Sequence, residues 1–96
     1  MLTHIVIWKY KPEITEEQRA EHRRQLKNLV NFIPEIISFN VGADVLDLPR
    51  SYDTGLVATF SDRKALDVYT ENAEHQKVAA LGKEIAAHVA SVDFVD

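Results

Sequence analysis

The chain has 96 residues, 46% of them hydrophobic and 27% charged, with a formal net charge of -4 and no cysteine. That length supports one domain, residues 1–96, with one core that hides roughly two-thirds of the surface exposed by the unfolded chain. The absence of cysteine excludes disulfides, thiolate nucleophiles and cysteine-ligated metals, and with no basic cluster beyond Arg23-Arg24 no nucleic-acid partner is expected.

The first predicted strand, His4 to Tyr10, begins almost at once, with no basic leader and no long apolar run. Neither a signal peptide nor a membrane contact is therefore expected, and the expected location is cytoplasmic. Alternation places His4, Val6, Trp8 and Tyr10 on one face of the strand and Ile5 and Ile7 on the other. Both faces are apolar, so periodicity does not decide which one meets the helices.

Pro12 ends the strand's ladder, and Thr15 followed by Gln18 three residues later reads as a capping box behind Ile14. A helix starting near Glu16 then carries an apolar stripe through His22, Leu26, Leu29, Val30 and Ile33, and Pro34 stops it. A second strand falls within Glu35 to Ala43, and a third spans about Asp53 to Phe60. The irregular link between them, Asp44 to Tyr52, reads as the most mobile loop. Ser61-Asp62 caps a short helix bearing Ala65, Leu66 and Tyr69, and Asn72 breaks it from a further helix expected over Glu74 to Ala90. The stripe of that last helix is Val78, Leu81, Ile85 and Val89, and Gly82 within it is either a local weakness or a point of close packing. Val92 to Val95 reads as a short final strand. The resulting β-α-β-β-α-β order, with the second helix broken, folds compactly as an α+β domain: a four-stranded antiparallel sheet with its helices on one face. The bare face is too apolar for water, and a homodimer through the sheets is the expected remedy.

Tyr69 and His75 flank the break at Asn72, where a kink can aim a phenol and an imidazole into one cavity. Such a pair suits acid–base chemistry near neutral pH. A histidine at a helix start beside Glu71 and Glu74 also fits a solvated or capping role. His4 and His22 occupy positions that otherwise read apolar, so each needs a partner, either in a binding pocket or in the core. His88, among alanines near the expected helix end, reads as structural. No histidine pair has the helical spacing of a transition-metal site, and no cofactor is expected. Asp44 and Asp47 could hold a hard cation such as magnesium, although loop aspartates usually form turns.

The segments His4 to Lys11, Glu13 to Gln18 and Asn28 to Pro34, together with Tyr69 and His75, resemble the stress-responsive A/B barrel domain family, across essentially the whole chain. The resemblance implies a ferredoxin-like protomer whose sheet joins that of a second subunit in a dimeric α+β barrel. One plant member of the family is a polyketide cyclase whose working Tyr, His and strand-one His match Tyr69, His75 and His4 in position. By that resemblance a small, partly apolar ligand would sit in each protomer among Val6, Trp8, His22 and Leu26, with His75 as base, Tyr69 as oxyanion donor and His4 positioning the ligand. His22 stands where the cyclase has an aromatic residue and Gly55 where it has a histidine, so a different substrate is implied. Other plant members are stress-induced proteins, some with magnesium at the dimer contact, which implies a non-enzymatic alternative. Monooxygenases and haem-handling proteins share the barrel, but no residue here argues for their chemistry.

Overall fold

The computed structural model describes residues 1–96. Strand β1 (Leu2–Tyr10) is followed by helix α1 (Glu16–Asn28), strands β2 (Ser38–Ala43) and β3 (Thr54–Phe60), helices α2 (Arg63–Glu71) and α3 (Ala73–Ile85), and strand β4 (Ala86–Val95). The sheet order is β2-β3-β1-β4 and every neighbouring pair is antiparallel. This is the ferredoxin-like arrangement, with the helices packed over one face.

Each helix begins where a side chain can satisfy its free N–H groups. Thr15 accepts from the Gln18 N–H while Gln18 reaches back to the Thr15 N–H, completing the capping box. Asp62 accepts from Ala65 N–H at the start of α2. Asn72 is extended (φ -61, ψ 135), so it ends α2 and, through its side chain, caps α3.

The face of β1 that meets the helices is the one carrying Leu2, His4, Val6, Trp8 and Tyr10. Leu2, Trp8 and Tyr10 are buried, as are their β3 neighbours Thr54, Leu56, Ala58 and Phe60. Under α1 the core takes Leu26, Leu29 and Ile33. Val30 does not join them: Leu29–Asn31 tightens into a 3-10 turn, whose shorter period rotates Val30 out to 46% exposure. On the outer face Ile5 lies between Val57 of β3 and Val92 of β4, and Phe94 stands opposite Thr3. Val57, Val92 and Phe94 are all exposed there.

The C-terminal third departs from expectation. Helix α3 stops at Ile85, and the ten residues Ala86–Val95 run as one strand along the length of β1. Ala86 to Ala90 favour a helix by propensity, but the free edge of a nine-residue β1 needs partners for its backbone groups, and that demand wins. Val89 is consequently a strand residue opposite Trp8, and His88 sits opposite Lys9 rather than at a helix end.

Candidate active site

The break at Asn72 builds the site. Tyr69 occupies the last turn of α2 and His75 the first turn of α3, whose N–H the Asn72 side chain accepts at 3.3 Å. Their rings come together at 4.3 Å between centroids. Phe60 and Phe39 pack on the other sides of the Tyr69 ring at 5.1 and 6.1 Å, and His4 of β1 meets it edge-on at 5.8 Å.

Both histidines are anchored through Nδ1. His75 donates from Nδ1 to the Thr70 carbonyl at 3.0 Å, which leaves Nε2 as its lone-pair nitrogen. Burial pulls the His75 pKa below its ordinary value, with the Thr70 bond opposing and the nearby His4 assisting. At neutral pH it is a free base. Burial also pushes the Tyr69 phenol well above its usual range, so it stays a proton donor. His4 donates from Nδ1 to the Asp93 carboxylate, an arrangement that fixes its tautomer and ring angle. Asp93 was not singled out in the sequence. The signal lies in the register, since the antiparallel pairing of β4 with β1 sets Asp93 opposite His4 on the helix-facing side.

These groups share one cavity of about 450 Å³ between α3, β1 and β4. Its polar end holds His4, Tyr69, Thr70 and His75, and its walls include Val6, Trp8, Leu26, Leu56 and Val78. Six of the seven residues expected at a ligand site therefore meet around one space. His22, the seventh, does not line it.

His22 lies behind Trp8 with no exposed surface, its ring edge-on to Trp8 at 5.1 Å and to Tyr10 at 5.6 Å. The Tyr10 hydroxyl donates to Thr54 Oγ1 at 2.8 Å, so His22 Nδ1–H donates to the phenol oxygen at 2.7 Å. Nε2 is left buried without a partner. Burial, helped by the Arg23 charge, lowers the His22 pKa to about 4. Gly82 explains the close fit: a Cβ there would lie 3.0 Å from Trp8 Nε1 and 3.1 Å from His22 Nε2. Of the two readings of Gly82, the structure selects close packing.

No three histidine or carboxylate side chains gather as a metal site. In the β2–β3 loop the Asp44 carboxylate accepts the Asp47 N–H at 2.7 Å, and Asp47 takes a left-handed backbone (φ 51). These aspartates form a turn. No helix is long and apolar enough to cross a membrane.

The sequence profile of the stress responsive A/B barrel domain, Dabb, matches residues 2–96. The chain belongs to this family. No curated protein matches the chain. Among solved structures, a dimeric ferredoxin-like protein of unknown function from Thermobifida fusca superposes with a TM-score of 0.90 at 23% identity, covering 99% of this chain and 90% of that one. A hydroxynitrile lyase from Passiflora edulis gives 0.88 at 17% identity, covering 99% and 92%. A protein described as an antibiotic biosynthesis monooxygenase gives 0.80 at 18%, covering 100% and 98%. At these identities the fold alone is what the likenesses share.

Proposed function

We propose that this Dabb protein binds a small, partly apolar carbonyl compound in the cavity of each protomer and moves a proton at the carbon beside the carbonyl. The observation that carries this reading is the approach of Tyr69 and His75 to 4.3 Å on the wall of one cavity, with burial favouring the neutral form of each. His75 Nε2 takes the acidic proton and becomes imidazolium. The Tyr69 hydroxyl donates a hydrogen bond to the oxygen on which the enolate charge collects. His4, steadied by Asp93, positions the ligand as the third polar group at that end. No cofactor enters these steps. A cyclase closing a ring through an enolate needs this proton transfer. The hydroxynitrile lyase among the structural neighbours supports only general acid–base chemistry on this fold, since releasing a carbonyl compound from a hydroxynitrile takes its proton from a hydroxyl rather than from carbon.

Two copies are expected to pair through their outer sheet faces, where Ile5, Ile7, Val57, Val92 and Phe94 form a continuous apolar surface. The Thermobifida neighbour is described as dimeric, which supports this reading. Light scattering at micromolar concentration should give twice the monomer mass.

The deciding experiment follows deuterium exchange at the α-carbon of phenylacetone by NMR. Wild type should accelerate the exchange, His75→Ala should lose about 10²–10⁴-fold of that rate, and Tyr69→Phe about 10²-fold. No acceleration by the wild type removes the acid–base reading and leaves a binding or structural protein.

A further inference from the structure

The proton-transfer groups occupy one end of the cavity, and the other end holds a charge they do not use. Lys83 lies on α3 eight residues beyond His75, about 12 Å further along the helix axis. It lines the same cavity, together with Val89 and Ser91 of β4.

Lys83 has no carboxylate partner, whereas Lys77 on the same helix is paired with Glu74. One turn back from Lys83, where a surface lysine ordinarily meets its acidic neighbour, the helix carries Ala79 and Ala80. Both alanines also line the cavity, so the lysine stem has apolar surface to lie along as it reaches inward. No carboxylate lines the cavity, and Asp93 of β4 is held by His4 at the opposite end. Among lining residues the unpaired ammonium is thus the feature that discriminates between neutral and charged ligands. The Ser91 hydroxyl on the facing strand supplies a donor of the same polarity.

Building on the acid–base reading, we infer that the ligand is an elongated oxo-carboxylate whose anionic group is held by Lys83 while its carbonyl reaches Tyr69 and His75. The apolar stretch between them, over Val6, Leu26 and Val78, takes a saturated or aromatic spacer. Lys83 acts here as a specificity residue and touches no reacting atom.

The test titrates the protein with 9-oxodecanoate and with its neutral counterpart 9-oxodecanamide, measuring Kd by calorimetry and α-proton exchange by NMR. Wild type should bind the acid about fivefold or more tightly than the amide at low salt, a margin expected for one partly screened ion pair. High salt should erode that preference. Lys83→Met, which keeps the stem, should abolish it, and Lys83→Arg should keep it. His75→Ala should retain the preference while losing exchange, so the two readings fail separately. Equal affinity for acid and amide in the wild type, a preference that survives Lys83→Met, or failure of both compounds to bind would overturn the assignment.

Discussion

Tyr69–His75 and Tyr10–His22 are both tyrosine–histidine pairs on the helix-facing side of the sheet, and only the first opens onto the cavity. In the Tyr10–His22 pair the rings are hydrogen-bonded at 2.7 Å, sealed between Trp8 and Gly82, and without access to any ligand. In the Tyr69–His75 pair the rings meet at 4.3 Å, tilted by 48°, and His75 Nδ1 donates to a backbone carbonyl, so both side chains keep a functional group for whatever enters the cavity. Residue type is the same in both places. Access, together with what each hydrogen bond consumes, separates a structural pair from a candidate catalytic one.

Acid gives the largest way to break this comparison, because the sealed pair must answer to pH through stability. The His22 pKa is about 4 in the folded chain against an ordinary 6.5, so between those values the unfolded state binds more protons than the native state. Stability therefore falls as pH drops from about 6.5 to about 4, by roughly 3 kcal/mol from this group, and this contribution levels off below that range. Urea midpoints measured against pH should show the slope in wild type and a smaller one in His22→Leu. Gly82→Ala comes next. His22 is held by aromatic rings on two sides and cannot retreat from a Cβ at 3.1 Å, so the gain in helix propensity is outweighed and a net loss of about 1 kcal/mol is expected, read as a lower urea midpoint. The smallest effect is a control remote from both pairs. Asp47→Gly relieves a left-handed backbone and should raise stability by only about 0.5 kcal/mol, read as a slightly higher urea midpoint, with exchange activity unchanged.

Much of the frame was legible because it is local. The Thr15–Gln18 box, the Asp62 cap and the break at Asn72 each depend on a few neighbouring residues, and each stands where the sequence implies. What could not be read locally was decided by distant backbone. The Ala86 to Ala90 segment carries helical propensity yet pairs with β1, and the register between those two strands, equally unreadable locally, places Asp93 beside His4. His22 was misplaced for a related reason. It shares a helix face with Leu26, which does line the cavity, but periodicity gives a direction without a depth, and Trp8 stands in between. The sheet face chosen by the helices was equally silent, since β1 is apolar on both sides.

Asn72 stands three residues from Tyr69 and three from His75, and it ends one helix while starting the next. The spacing of the two rings is thus written into seven consecutive residues and owes nothing to strand register or to a second subunit. Such a segment behaves as a cassette: related chains can reshape the cavity walls freely and inherit the pair intact, whereas one inserted or deleted residue between 69 and 75 would turn His75 through about 100° of helix and dismantle it.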